Sequence, residues 1–240
     1  MLHVKEININ VNPIHIYVKY NQEGPLTLKA KRPYHHGDLR AALMTAALSL
    51  IDEHGVKGLA LSDAAHLAGV SVAAPYRHFK DKEALLAEIA AEGFTMFRDA
   101  LAHASQSHPA QNQPEDKVKR LVEMGVAYVD FALHHRPHFR VMWESGIIQA
   151  NHAEMQQTAQ QAYRLLEEAA NGLLPRAHPS RQQALVRAAW SLVHGYAMLT
   201  LAGELPAPGS EQSDRTLLRQ SLHLLVDQFA AKATRKDLGQ

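Results

Sequence analysis

The chain has no cysteine among its 240 residues. That excludes disulfides and thiolate metal sites, so stability has to come from a hydrophobic core. No apolar run approaches the roughly 18 uncharged residues of a membrane-spanning helix. Asn8, Asn10 and Asn12 interrupt the first apolar positions, which removes the hydrophobic segment of a secretion signal. A cytoplasmic protein is the expectation. Catalytic signatures are missing as well: there is no G-x-S-x-G, H-E-x-x-H, phosphate-binding loop or G-x-G-x-x-G. Glu167 and Glu168 are neighbours on a helix and point in different directions, as solvated residues do. No enzyme is expected. An excess of charge is lacking too, with 25 Lys and Arg against 24 Asp and Glu. Affinity for nucleic acid would have to come from a local patch.

What is present is apolar patterning. A hydrophobic fraction of 46% suffices for a core, and the length allows one large domain or a small one plus a medium one. Residues 1–30 form an N-terminal arm unlike the rest. Ile7, Ile9 and Val11, then Ile14, Ile16 and Val18, alternate with polar residues at a strand period. Such an isolated pair of strands is marginal on its own, so a poorly ordered arm is expected. The switch to a helical pattern after this arm raises a second expectation, that translation starts at or near Leu28. The remainder reads as all-α, with a small three-helix domain over 31–82, a connecting helix over 83–102, a polar linker over 103–116 and a helical bundle over 117–235. In the first part Asp38 is a candidate cap for a helix that His54-Gly55 ends. The bundle reads as helices over about 116–135, a short segment around Phe139 and Trp143, then 152–173, 180–204 and 213–232.

The stretch Leu61 to Ser71 carries the function. Ser62 can cap a short helix, Gly69 permits a tight turn, and Ser71 can cap a second helix from Val72 to about His78. Two short helices joined by a Gly turn form a helix-turn-helix, whose second helix enters the major groove. An ordinary corner between helices is the alternative. Tyr76, Arg77, His78, Lys80 and Lys82 then crowd one end of the second helix, opposed only by Asp81. A lysine at the first position of the next helix opposes the helix dipole, which makes sense if a phosphate sits there. Val72, Ala73 and Ala74 offer methyl contacts to thymine but no hydrogen bonds, so DNA shape should matter. Lys31 and Arg32, with Lys29, form a basic arm for the backbone or minor groove, or else a solvated tail.

The run from Tyr34 to Leu86 resembles the N-terminal domain of the tetracycline-repressor family. It has the Gly-Val-Ser turn, Tyr-Arg-His-Phe and Lys-Glu-Ala-Leu-Leu at the family's spacing. The resemblance implies phosphate contacts from Tyr76, His78, Lys82 and Ser62. Pro75, inside the recognition helix, departs from the common pattern. Trp190, His194 and Gly195 resemble the Trp…His-Gly motif of one C-terminal subgroup. That implies a nine-helix homodimer joined through its last two helices.

Trp190 and His194 share a helix face that Met198 extends, and Tyr128 and Trp143 could line the same cavity. The alternative is that Trp190 and His194 are core residues. His134, His135 and His138 invite a metal reading, but Pro137 falls inside the cluster and no carboxylate converges on it in the sequence. No metal or cofactor is expected. The leading expectation is a repressor released from a palindromic operator in double-stranded DNA by a small-molecule effector. The alternatives are a metal-responsive regulator and a ligand-independent dimer working with a protein partner.

Overall fold

The computed structural model describes residues 6–11, 14–21, 24–25, 39–107, 113–147, 153–205 and 212–237. The chain divides into two compact units, Met1–Asp38 and Leu39–Gln240. In the first unit β1 (Glu6–Val11) pairs antiparallel with β2 (Ile14–Asn21), which pairs with the two-residue β3 (Gly24–Pro25). The register sets Ile7 opposite Val18, Ile9 opposite Ile16 and Val11 opposite Ile14. The strand-period residues therefore fall at paired positions of the register. Lys29, Lys31, Arg32 and Asp38 lie outside the described residues.

The second unit is all-α. It begins with α1 (Leu39–Gly58), which breaks at Gly55, and α2 (Leu61–Leu67). A 3-10 turn (Pro75–Arg77) precedes the long α3 (Lys82–Ser107). Then follow α4 (Pro114–His134), α5 (Arg136–Glu144), α6 (Ala153–Leu173), α7 (Pro179–Leu201) and α8 (Gln212–Asp237). Proline stands in the first turn of α4, α5 and α7, where its missing N–H would be unpaired anyway.

Three local expectations are corrected. The helix before the Gly turn starts at Leu61, with Ala60 in the cap position, and Ser62 lies inside its first turn, donating to Asp63 Oδ1 at 3.3 Å. The second helix expected over 72–78 shrinks to a 3-10 turn. Pro75 has no N–H to give the Ser71 carbonyl, which accepts from Ala74 at 2.9 Å instead. Helix α3 runs five residues into the expected linker, because Leu101 and Ser105 are buried and Arg120 donates to Ser105 Oγ at 2.7 Å.

The main hydrophobic core runs from α1 to α8, and a smaller cluster of Ala170, Leu174, Leu185 and Val186 lies at the end of α6 and the start of α7. Helix α3 packs on α4, α5 and α6, while α4 packs on α6, α7 and α8. Gly125 lets α4 approach its neighbours: a Cβ there would sit 2.6 Å from a Leu222 methyl and 3.1 Å from one of Val193. Helix α5 lies against both α1 and α3. From α5, Arg140 donates to the carbonyls of Ile51 and Asp52 near the end of α1, at 3.4 and 3.5 Å. Among the described residues no helix is long and apolar enough to cross a membrane.

Candidate functional site

The turn after α2 is set by its backbone. Gly69 adopts φ +73°, a conformation that costs residues with a Cβ about 1–2 kcal/mol. Its N–H donates to His66 and that of Val70 to Ala65, at 3.1 and 3.0 Å, which satisfies the last carbonyls of α2. Pro75 and Phe79 are buried and anchor the segment that follows. The Arg40 guanidinium lies 5.3 Å from the Phe79 ring centre and holds Glu88 of α3 through two bonds of 2.6 Å. Between these anchors the chain is turned outward. Ser71, Val72, Ala73, Tyr76, Arg77, His78 and Lys80 are exposed, Val72 by 50% and Tyr76 by 58%. Ala74, Ser62 and Lys82 are half-buried. Asp81 caps α3 by accepting the Ala84 N–H at 2.8 Å. Lys82 Nζ reaches back to the carbonyl of Lys57 at 3.4 Å, where α1 ends. The outward face beside the Gly69 turn thus groups small, aromatic and basic side chains, the types a helix-turn-helix brings to DNA, although a 3-10 turn stands in place of a full second helix.

The second site is a cavity of about 500 Å³ bounded by α3, α4, α5, α6, α7 and α8. Tyr128, Trp143 and Trp190 line it. His194 and Met198 do not line it. His194 stands behind Tyr128, its Nδ1 2.9 Å from the phenol oxygen, with the rings of Phe139 and Trp143 packed against it. Burial holds the His194 imidazole below its ordinary pKa, so the neutral ring pairs with Tyr128. Burial likewise pushes the Tyr128 phenol up, opposed more weakly by the Trp190 N–H. Met198 packs against the core from its edge. Phe94 and Phe97 of α3 also line the cavity, and so do Gln156, Gln160 and Tyr163 of α6, which were not among the expected ligand residues. Their spacing of four and three residues is the available signal.

The histidine cluster does not close. His134 Nδ1 turns to the Asp130 carbonyl at 2.7 Å, while His138 Nε2 lies 3.5 Å from Glu92. Among the described residues no three His, Cys, Asp or Glu side chains converge as a metal site. Burial lowers the pKa of both His135 and His138. Their mutual repulsion adds to this at His135, and Glu92 opposes it at His138.

Fold and reading face together define a helix-turn-helix DNA-binding protein with a cavity-bearing helical domain. Residues 43–89 match the model of bacterial regulatory proteins of the tetR family, and residues 121–227 match the tetracyclin repressor-like C-terminal domain. The chain belongs to the tetracycline-repressor family and is a DNA-binding transcription regulator. A solved protein of unknown function from Rhodococcus sp. RHA1 is 28% identical, with a TM-score of 0.64 over 84% of this chain and 98% of its own. A tetR-family regulatory protein from Rhodococcus RHA1 shares the fold at 20% identity, TM-score 0.60, over 78% and 94% of the two chains. So does a TetR from Acinetobacter baumannii AYE, solved in complex with minocycline, at 22% identity, TM-score 0.53, over 81% and 97%. No curated protein sequence gives a significant match.

Proposed function

We propose that the chain is a cytoplasmic homodimeric repressor that leaves a palindromic operator when a small molecule enters the cavity. The observation that carries this reading is the cavity itself. About 500 Å³ of mainly apolar space between bundle helices is the size and character of a small-molecule site. Its α5 wall also rests on α1, so a ligand that shifts Trp143 has a physical path to the reading corner. The Acinetobacter structure, which holds minocycline, is a precedent for ligand binding in this fold. In the reading, Tyr76, Arg77, His78, Lys82, Ser62 and Ser71 meet phosphates while Val72, Ala73 and Ala74 face the bases. Two such corners roughly 34–36 Å apart would enter successive major grooves. A ligand coupling of about 1–3 kcal/mol would change operator affinity 5–150-fold.

Dimerisation through α7 and α8 is supported by Leu199, Leu217 and Leu224, which are 48%, 54% and 67% exposed. Large apolar side chains on the last two helices suit a self-complementary interface. Leu224→Glu should move the protein from dimer to monomer in sedimentation velocity and abolish tight operator binding. The whole reading is tested by titrating metabolites against the protein bound to its selected operator, with and without a chelator. Release by an organic compound in both conditions is expected. Release only when metal is present would favour a metal-responsive regulator. If no compound releases the DNA, the effector role is lost.

A further inference from the structure

Among the described residues the cavity wall contains no Asp, Glu, Lys, Arg or His. A charged ligand would give up its hydration and find no counter-charge, which is costly for any ion. The walls are rings instead. Trp143 and Trp190 meet with centres 5.8 Å apart at 53°, Tyr163 and Trp190 at 5.8 Å and 69°, and Phe94 and Trp143 at 5.7 Å and 74°. Tilted and edge-on pairs present both faces and edges to a further ring, the two geometries aromatic groups prefer.

The polar side of the wall is unbalanced. Trp143 Nε1 is buried and, among the described residues, donates to nothing. An indole nitrogen is a donor only, so nothing but an acceptor can satisfy it. Buried donors without partners are rare in folded proteins and point to a group they await. The N–H is covered in this conformation while the ring itself lines the cavity, so pairing with an occupant requires the ring to turn. An unpaired N–H also repels cations, which weighs against reading the rings as a cage for an ammonium group.

We infer that the cavity takes an uncharged, mostly apolar aromatic molecule bearing a carbonyl-type oxygen, and that this oxygen accepts the Trp143 N–H. The inference rests on the reading of the cavity as the effector site. It also gives the ligand a lever, because Trp143 stands on α5, whose Arg140 reaches the end of α1.

Equilibrium dialysis of the full-length protein against four matched probes tests it. They are phenyl 2-naphthyl ketone, its deoxygenated counterpart 2-benzylnaphthalene, and the carboxylate and methylammonium derivatives of that hydrocarbon. The ketone should bind about tenfold more tightly than the hydrocarbon, the factor one added hydrogen bond supplies, and neither ion should bind measurably. In Trp143→Phe, which keeps a ring and removes the donor, the ketone's roughly tenfold preference over the hydrocarbon should vanish, whatever the altered wall does to both probes alike. Equal binding of ketone and hydrocarbon to the unaltered protein overturns the inference, and so does binding of either ion as tight as the ketone's or no binding by any probe. A parallel operator titration separates the two readings. If the ketone binds in the expected pattern without releasing DNA, the ligand class stands and the effector role falls.

Discussion

From Leu61 to Ala84 the chain is positioned mainly by contacts within a few residues, with Phe79 as its anchor in the core, whereas around the cavity it is positioned by side chains brought from six helices. In the first region Gly69 turns the chain at φ +73°, Pro75 withholds an N–H and Asp81 fixes the start of α3. Each acts within a few residues of itself. In the second region the walls at Phe94 and Leu222 are far apart in sequence, and their spacing depends on how closely helices meet at Gly125. Local rules therefore produce the reading corner, and collective packing produces the cavity. Substitutions can test how far that division holds.

The largest effect is expected at Phe79, the one fully buried ring in the reading segment. Phe79→Ala should cost about 3–5 kcal/mol, read as a lower urea midpoint. A loss below about 1 kcal/mol would mean that backbone bonds alone hold the corner, which would sharpen the contrast.

His194 tests the other side. Removing its imidazole leaves the buried Tyr128 hydroxyl without its 2.9 Å partner, a cost of roughly 1–3 kcal/mol. His194→Ala should lower the melting temperature and leave the effector dose response nearly intact, because His194 braces the cavity wall from behind. Loss of that response at an unchanged melting temperature would make His194 a ligand contact and blur the distinction between wall and support.

Acid should also separate the regions. His135, His138 and His194 are held below the ordinary value of 6.5 in the folded chain, with burial as the first cause at each. The unfolded chain takes up protons first as pH falls through 6.5, so protonation favours unfolding. Stability contributed by these groups is complete above about pH 6.5 and declines through the lower, folded values. His138 lies in α5, His135 joins α4 to α5 and His194 packs against Phe139 of α5, while His66 and His78 of the reading corner are exposed. Melting temperature should fall between pH 7 and pH 5, and His138→Gln should flatten that dependence. A profile unchanged in His138→Gln, His194→Ala and His135→Gln alike would remove histidine burial as its source.

The same division explains what is legible in the sequence. Helices α4 to α8 lie close to their expected spans, because each carries an apolar face at helical spacing and proline marks three of the starts. Asp81 is legible as a cap, since the bond it makes is three residues away. The reading helix is shorter than its pattern suggests because a single Pro75 outweighs the propensity of its neighbours. Ser62 misses the cap by two helix positions because Leu61 is drawn into the core and pulls the helix start with it. The cavity is half legible. Tyr128, Trp143 and Trp190 are conspicuous aromatic residues, but Gln156 and Gln160 look like a solvated face until α6 is laid against α3 and α4. The helix face of His194 cannot by itself reveal that Tyr128 stands between the imidazole and the open space.

Lys82 gives the smallest and most discriminating effect, because two physical accounts compete for it. As the first residue of α3 its charge opposes the helix dipole, at roughly 0.3–1 kcal/mol. The Lys57 carbonyl, 3.4 Å from Nζ at the end of α1, supplies a partner within the fold. If that were the whole role, Lys82→Ala would change stability by a few tenths of a kcal/mol and leave DNA binding alone. The half-exposed ammonium lies next to the outward face of Tyr76, Arg77 and His78, however, and the carbonyl bond is long enough to yield to a phosphate. Lys82→Ala should therefore reduce the slope of log K against log salt by about 0.9 for each phosphate left unneutralised. Selected operator and random DNA should weaken by the same factor, because phosphate contacts carry no sequence information. An unchanged slope on both DNAs would assign Lys82 to its bond with the end of α1, and the reading face would then end at Lys80.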